Sequence, residues 1–358
     1  MKRRRKLGLL ALCFLLLASF SACRDDRLLE GVPSPRQPSS RDGSQQKESA
    51  SAEVTEKREQ NTQKDSTAES DAEPINKPTQ IPLVTEEMPV AFGGILKGAP
   101  GGTLPSGLIP LNEVEYTVID PQNNRGLSEK KQSHSHGPAS NGKPHETVLA
   151  FQDTFDRFGA LTLDRKTKEP VLYLTFDCGY EYENLTSAIL DTLKEKDVHA
   201  AFFCTRDHIV RQPELIARMI REGHIVGNHS DTHPSFPGIS RTQMKDEIEK
   251  TENELRTDFG YCAKFFRFPA GEYSESALDL VQSLGYCSVF WSVAYSDWDV
   301  NNQQGKDNAV RTVTQRLHPG AVILLHAVSR DNAEALGEII DRAREEGYVF
   351  RALSDYRF

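Results

Sequence analysis

The sequence predicts a protein of the α/β class, in which strands and helices alternate from residue 171 to residue 358. Seven short apolar runs follow one another there, and stretches with apolar residues three and four positions apart lie between them. Several of these stretches meet a glycine just before the next strand, as at Gly223 and Gly285, where a left-handed helix C-cap belongs. Strands that alternate with helices form a parallel sheet, either as a barrel or as an open sheet.

The predicted strands, in chain order, are VLYLTF, AAFFCT, IVGNHS, KFFRFP, SVFWSV, AVILLH and YVFRAL. The predicted helices between them include LTSAILDTLKEK, PELIARMIREG and ESALDLVQSLG. Pro213 is the first residue of the second of these helices. An N–H group at this position has no partner within the helix, so proline loses no hydrogen bond there.

The N-terminal region has the pattern of an export signal. Five consecutive basic residues precede an apolar stretch from Leu7 to Phe20, which is short for a membrane span. Residues 1–22 resemble a bacterial lipoprotein signal peptide, with Cys23 as the lipidated first residue of the mature chain. Simple cleavage and an uncleaved anchor are the alternatives. In each case we expect the body to lie outside the cytoplasm, either anchored to the membrane or secreted.

Two further segments precede the strands. Residues 23–80 are predicted to form a disordered tether because they contain few apolar residues and no aromatic residue. Residues 81–165 are Gly/Pro-rich and weakly patterned at first, and we predict an irregular lead-in region. His134 and His136 in this region suggest a metal tract, but their flanking Gln, Ser, Gly and Pro residues favour a solvent-exposed loop.

The net charge and the cysteine content indicate which binding partners and which disulfide bonds to expect. The formal net charge is −9 and no basic patch with interleaved aromatic residues is present, which argues against a nucleic-acid partner. Four cysteines follow the predicted signal peptide and Cys23. An exported chain permits disulfides among them, and free thiols are equally compatible with the sequence. We expect a monomer.

Ionisable residues stand at the ends of the predicted strands. Asp177 ends the first strand, His229 the third, Arg267 the fourth and His326 the sixth, and the fifth strand leads to Asp297. Because reactive side chains gather at the C-terminal ends of the strands in parallel β/α barrels, these five groups are predicted to converge on one face. The motif GNHSDTH adds His233 four residues after His229, a spacing that suits imidazole ligands of a divalent ion or a structural histidine pair.

The motifs TFDCG, HSDTH, RFPAG, SDW and LLH occur in this order on successive strand ends. Together they resemble the polysaccharide deacetylases, carbohydrate esterase family 4. Within that family, TFDCGYE, FWSVAYSDW, NNQQGK and HAVSRDNAEAL are most similar to the sporulation N-acetylmuramic acid deacetylases. The resemblance implies a distorted seven-stranded (β/α) barrel and a catalytic domain over residues 166–358.

The resemblance also implies roles for the strand-end residues. Asp177 matches the general base, and Arg267 matches the arginine that keeps this carboxylate ionised. His326 matches the general acid, and Asp297 matches the carboxylate that orients it. The implied substrate-binding residues are Trp298, Leu324, Tyr180 and Pro269.

The implied metal site is altered in this chain. His229 and His233 match the metal-binding histidines, but Cys178 stands where most of the family has a second aspartate. Cys178 as a thiolate ligand, which would favour zinc, is one interpretation. The others are a neutral bystander and a disulfide with Cys204. The expected cofactor is a divalent metal, with zinc preferred.

Three functions fit these residues. The first is N-deacetylation of peptidoglycan glycan strands, with N-acetylmuramic acid as the favoured substrate and muramic δ-lactam as the later product. The second is the same reaction on N-acetylglucosamine, chitin-like glycans or another acetylated polysaccharide. The third is a non-catalytic glycan-binding lipoprotein, against which the acid–base residues argue, because binding alone requires none.

Overall fold

A computed structural model of the chain describes residues 104–356 and two short strands before them, β1 (Met88–Val90) and β2 (Gly94–Leu96), which pair antiparallel. The predicted signal peptide (1–22), the lipidation site at Cys23 and the predicted tether (23–80) lie outside the described residues. No helix in the described part of the chain combines the length and the apolar character that a bilayer crossing requires.

A curled sheet of seven parallel strands forms the centre of the fold. The remaining strands of the structure are β3 (Gln132–Ser133), β4 (Val171–Cys178), β5 (Ala201–Cys204), β6 (Ile225–Asn228), β7 (Phe265–Phe266), β8 (Glu272–Tyr273), β9 (Cys287–Ser288), β10 (Ala321–His326) and β11 (Val349–Phe350). The order in the sheet is β10, β4, β5, β6, β7, β9, with β11 paired to the start of β4. Strands β3 and β8 form a separate antiparallel pair.

The sheet curls far enough to meet itself. The segment after β9 reaches β10, where Val293 pairs in parallel with Ile323 and the Ser292 N–H donates to Val322 O at 2.9 Å. All seven predicted strands overlap strands of this sheet. The predicted distorted seven-stranded (β/α) barrel is therefore confirmed.

Eight α-helices accompany the strands in the described residues. They are α1 (Glu146–Phe155), α2 (Leu185–Glu195), α3 (Arg206–Arg211), α4 (Pro213–Arg221), α5 (Arg241–Phe259), α6 (Glu275–Ser283), α7 (Lys306–Thr314) and α8 (Arg330–Glu345). The longest, α5, starts at a capping box formed by Ser240 and Gln243 and ends at Gly260, which adopts a left-handed conformation with φ 62°.

The central strand β4 is buried along its whole length, as expected of a parallel strand covered on both faces. Successive side chains point to opposite faces. Leu172, Leu174, Phe176 and Cys178 pack into the apolar cluster that includes residues of α2 and α8. Thr175 and Asp177 occupy the other face of the strand, toward the inside of the curled sheet. This alternation decides which strand-end side chains share a site.

The lead-in region packs on the barrel and contains a helix that the sequence analysis did not predict. Phe155 of α1 stacks on Phe290 with ring centroids 4.3 Å apart. Further upstream, the Ser106 hydroxyl donates to Phe259 O at 2.6 Å, and Leu111 N donates to Arg256 O at 2.9 Å. These hydrogen bonds attach the otherwise irregular segment to the end of α5.

The prediction of a solvent-exposed loop around His134 and His136 is wrong. His134 is buried, packs against Phe151 and Phe290, and forms a 2.7 Å hydrogen bond with Trp291 O. Burial lowers its pKa to about 3, so the ring is neutral. His136 is half-buried and accepts a 3.2 Å hydrogen bond from Trp291 Nε1. Both rings fill gaps between the lead-in and the barrel.

Candidate active site

The strand ends bring the predicted acid and base to one edge of the sheet. Asp177 and His326 are direct register partners at the ends of the neighbouring strands β4 and β10. His229 and Arg267 each follow the last residue of a strand, β6 and β7 respectively. Because all these strands are parallel, their C-terminal ends open toward the same face, as the sequence predicts.

Asp177 is a buried carboxylate held by a buried guanidinium. Arg267 Nη1 donates to Asp177 Oδ1 at 2.8 Å, and the arginine side chain has no exposed surface. Burial alone raises the pKa of Asp177, but the charge of Arg267, supported by that of His326, outweighs it, and the net pKa lies below its ordinary value. The carboxylate is therefore ionised at neutral pH and able to accept a proton.

Besides its ion pair with Asp177, the Arg267 guanidinium makes three hydrogen bonds and one aromatic contact. Its Nε donates to Val289 O at 2.9 Å, and its Nη2 donates to Thr175 Oγ1 at 2.9 Å and to Phe290 O at 3.2 Å. The guanidinium carbon also lies 4.1 Å from the centroid of the Phe203 ring. With its donors satisfied in this way, the buried cation has one orientation available toward Asp177.

His326 is oriented by Asp297. The His326 Nδ1 atom lies 2.7 Å from Asp297 Oδ1, and the His326 backbone N–H donates to Asp297 Oδ2 at 2.8 Å. Burial lowers the pKa of His326, but the charge of Asp297 and this hydrogen bond outweigh burial and raise the net pKa above its ordinary value. Since Nδ1 is engaged, Nε2 is the nitrogen left to hold a transferable proton.

A residue that the sequence analysis missed contacts both Asp297 and His326. Asn332, in the first turn of α8, donates from Nδ2 to Asp297 Oδ2 at 2.5 Å and to His326 O at 3.2 Å. Its amide oxygen accepts a hydrogen bond from the Tyr295 hydroxyl at 2.5 Å. Asn332 lies inside the motif HAVSRDNAEAL, which is part of the family resemblance. From the sequence alone, however, an asparagine near the start of a helix is interpreted as a capping residue.

His229 and His233 lie beside Asp177 as a pair. Their ring centroids are 4.9 Å apart, and His229 Nε2 is 3.6 Å from Asp177 Oδ2. His229 Nδ1 forms a 2.8 Å hydrogen bond with Arg267 O, which leaves Nε2 as the free nitrogen of that ring. Burial lowers the pKa of both rings, that of His233 to about 4, so both are neutral.

These features fit a divalent ion held by two imidazoles. A metal-binding histidine commonly donates its other ring N–H to a backbone carbonyl, as His229 does to Arg267 O. Neutral rings are also the form that binds metal. The Asp177 carboxylate lies beside this pair, with its Oδ2 atom 3.6 Å from His229 Nε2.

The structure does not bring Cys178 to the histidine pair. Cys178 follows Asp177 on β4, so its side chain points to the opposite face of the strand, where it is fully buried in the apolar cluster beneath the helices. Its sulfur lies near Cys204 and His208 instead. Both cysteines are free thiols. Cys178 thus replaces the expected carboxylate without taking its place beside the histidines.

The four residues expected to bind substrate divide into two environments. Trp298 and Tyr180 are exposed, at 38% and 41%, and the Trp298 ring centroid lies 6.0 Å from that of His326. Leu324 and Pro269 are buried. Leu324 lies two residues before His326 on β10, and therefore on the same face of the strand. Two of the expected residues thus present exposed rings, one of them beside His326, and the other two are covered by the fold.

Comparison with known proteins agrees with this architecture. Residues 164–289 match the polysaccharide deacetylase family. The chain is 42% identical over 229 residues to the peptidoglycan-N-acetylmuramic acid deacetylase PdaA of Bacillus subtilis, which covers 64% of this chain and 84% of PdaA. It is 34% identical over 184 residues to a peptidoglycan-N-acetylglucosamine deacetylase of Bacillus cereus, covering 50% of this chain and 66% of that protein.

A solved structure supports the same assignment. The structure of Bacillus subtilis PdaA, described as a family 4 carbohydrate esterase, superimposes with a TM-score of 0.61 and 38% sequence identity. The superposition covers 64% of this chain and 97% of the PdaA chain. On the strength of its sequence, its curled parallel sheet and its strand-end residues, this chain belongs to the polysaccharide deacetylase family.

Proposed function

We propose that this protein hydrolyses the acetamide group of N-acetylmuramic acid residues in peptidoglycan glycan strands, releasing acetate and leaving a free amine. The observation that carries this proposal is the register pairing of Asp177 with His326, each with its own charged partner. Arg267 keeps the base ionised, and Asp297 keeps the acid protonated. An amide hydrolase needs both of these protonation states at the same pH.

The chain's own residues account for the proton transfers. Asp177 accepts a proton from the attacking water as the water oxygen bonds to the acetyl carbon. His326 then donates the proton on Nε2 to the amide nitrogen, and the carbon–nitrogen bond breaks to give acetate and the amine. Each such transfer by a positioned side chain contributes about 10²–10⁴-fold to the rate. Asp297 stabilises the imidazolium before transfer and holds the ring toward the leaving nitrogen.

His229 and His233 are the residues that would hold a divalent ion, for which we propose zinc because it favours imidazole nitrogen. Such an ion, when bound, lowers the pKa of water and polarises a carbonyl group. With two imidazoles as the protein ligands, we expect weaker retention than in a site that has an additional carboxylate. Metal removal by a chelator should therefore be rapid and reversible.

The substrate proposal rests on similarity. The N-acetylmuramic acid deacetylase PdaA matches over a longer stretch and at higher identity than the N-acetylglucosamine deacetylase of Bacillus cereus. A free amine on muramic acid is able to close onto the lactyl carboxyl group as a lactam, so we propose a place in muramic δ-lactam formation in spore cortex. The lipoprotein-type N-terminus supports an extracytoplasmic location at the membrane, facing this immobile substrate.

Mass spectrometry of digested glycan strands tests the proposal. The full chain is incubated with peptide-stripped peptidoglycan, with chelator and again with added zinc or manganese. We expect the mass change of deacetylation, or of lactam formation, on muramic acid. The change on glucosamine alone would overturn the substrate assignment and keep the reaction. No change under any metal condition, from folded protein, would favour a glycan-binding role.

A further inference from the structure

A second group of metal-type ligands lies on the other face of the sheet from the active site. The ligand atoms of Cys178, Cys204 and His208 all lie within 4.8 Å of one another, and all three residues are buried. Among the described residues, no other three His, Cys, Asp or Glu side chains form such a group. The cluster sits where β4 and β5 end and α3 begins.

The backbone arrangement accounts for the cluster. Cys178 and Cys204 are direct register partners on the parallel strands β4 and β5, so their side chains leave the sheet on the same face. The chain then turns at Thr205, whose backbone N–H donates to Cys178 O at 3.1 Å and whose hydroxyl accepts from His208 N at 3.3 Å. This turn brings the imidazole of α3 over the two sulfurs.

His208 is a buried imidazole whose two ring nitrogens are both available to a ligand. Its side chain has no exposed surface, yet neither Nδ1 nor Nε2 has a hydrogen-bond partner. No other buried histidine among the described residues lacks a partner on both ring nitrogens. A buried imidazole in this state forfeits two hydrogen bonds that water would provide.

We propose that Cys178, Cys204 and His208 bind a zinc ion that is separate from the catalytic histidine pair and joins the ends of β4, β5 and α3. Zinc takes thiolate and imidazole ligands at about 2.3 Å and 2.0 Å, which places neighbouring ligand atoms about 3.5–3.8 Å apart. The observed ligand atoms lie within 4.8 Å of one another, about 1 Å beyond this spacing at most, and side-chain rotations are enough to close that difference. Each thiol releases its proton to solvent on binding.

Charge balance suits the buried location. Two thiolates and one neutral imidazole cancel the two positive charges of the ion, so the assembled site carries no net charge into the apolar cluster. Burial lowers the pKa of His208 to about 4, which keeps its ring in the neutral, ligating form. A disulfide between the same two cysteines would leave both nitrogens of His208 without partners, and for this reason we favour the ion.

Cobalt substitution separates this site from the catalytic one. Only thiolate ligands give a sulfur-to-cobalt charge-transfer band, and the catalytic pair contains none. The full chain, with thiols reduced, is loaded with Co²⁺ and its spectrum recorded beside that of the H229A/H233A double variant. We expect the band in both proteins. Its absence from the reduced, folded wild type would overturn the proposal.

Single variants assign the ligands. We expect Cys178→Ser, Cys204→Ser and His208→Asn to lose or markedly shift the band, and zinc retained after gel filtration to fall in parallel. Cys287→Ser is the matched control, because Cys287 is also buried but contacts Gly159 O away from the cluster. An unchanged band in Cys178→Ser would contradict the proposal. So would peptide mapping of the purified, unreduced protein that finds Cys178 and Cys204 joined in a disulfide.

Discussion

At the scale of single residues, the proposed base and the proposed acid are set in opposed electrostatic surroundings. Asp177 faces the Arg267 guanidinium at 2.8 Å, and His326 faces the Asp297 carboxylate at 2.7 Å. The first contact lowers the pKa of the carboxyl and the second raises the pKa of the imidazole, in each case against the effect of burial. The pH range in which Asp177 is ionised while His326 is protonated therefore extends further at its acidic end and at its alkaline end.

The acid pair predicts a pH effect for Asp297→Asn. Loss of the Asp297 charge lowers the pKa of His326, so the ring loses its proton at a lower pH. Activity needs the protonated ring, and the alkaline limb of the kcat/KM profile should therefore move to lower pH. Asp299→Asn is the control, since Asp299 is exposed and its carboxylate accepts a hydrogen bond from Asn301 N in the same loop. Equal alkaline limbs in both variants would contradict the assignment of His326.

The buried ion pair predicts a stability effect for Arg267→Met. This change leaves the Asp177 carboxylate buried without its cation, and we expect a loss of about 3–5 kcal/mol in the free energy of unfolding at neutral pH. The wild-type pair contributes stability above the unfolded pKa of the carboxyl, and that contribution is lost as pH falls through the lower folded pKa. The deficit of the variant should therefore shrink in acid.

Denaturant unfolding measures this effect, and a second variant isolates its cause. In Asp177→Asn/Arg267→Met no unpaired charge is buried, so the double variant should be more stable than Arg267→Met at neutral pH. A double variant no more stable than Arg267→Met would show that lost packing of the arginine, not an orphaned carboxylate, causes the destabilisation.

At the scale of elements, the strand pleat and the helix caps decide what each position can do. Adjacent residues on β4 serve different layers, with Asp177 at the active site and Cys178 beneath the helices. The end of α5 is equally constrained. Gly260 has φ 62°, and a Cβ added there would lie 2.0 Å from Ile109 O of the lead-in region. A close backbone approach and a left-handed cap thus require glycine at the same position.

This constraint predicts different outcomes for two similar substitutions. Gly285→Ala places a side chain at φ 91° in open space, and should cost about 1–2 kcal/mol through backbone strain alone. Gly260→Ala adds the collision with Ile109 O and should cost more. Unfolding free energies of both variants in denaturant check the difference. Equal losses in the free energy of unfolding would mean that the lead-in region moves away from Gly260 without an energetic cost.

At the scale of the whole molecule, the lead-in region is part of the folded body. Its helix α1 closes an aromatic cluster in which Phe155 contacts Phe290 and Tyr273, and its irregular part is hydrogen-bonded to α5. The part of the chain that matches the family begins only at residue 164. A boundary drawn there would remove one side of the cluster.

Truncation tests this role. A variant that starts at residue 166 should unfold at a markedly lower temperature than one that starts at residue 104, and it should bind a hydrophobic dye, because Phe290 and Tyr273 lose their cover. Thermal unfolding followed by circular dichroism gives the comparison. Identical transitions in the two variants would show that the lead-in region contributes nothing to the stability of the barrel.

The sequence predicts some parts of the fold and the site well and others poorly. The seven strands are predictable because parallel strands buried on both faces are near-continuous apolar runs, and the strand-end residues follow from the shared direction of those strands. His134 is not predictable, because its polar neighbours look like a loop while the ring packs on distant aromatic residues. The sequence also does not predict that Cys178 lies away from the histidine pair, because this depends on whether the strand pleat continues to the last residue of β4.

The central claim is that Asp177 and His326 act as the base and acid of an amide hydrolysis. Acetate release from peptide-stripped glycan strands, measured for the wild type, Asp177→Asn, His326→Asn and the control Asp299→Asn, tests it most directly. We expect the two active-site variants to lose about 10²–10⁴-fold in kcat while remaining folded, and the control to keep its activity. Acetate release by folded Asp177→Asn at the wild-type rate would contradict the claim.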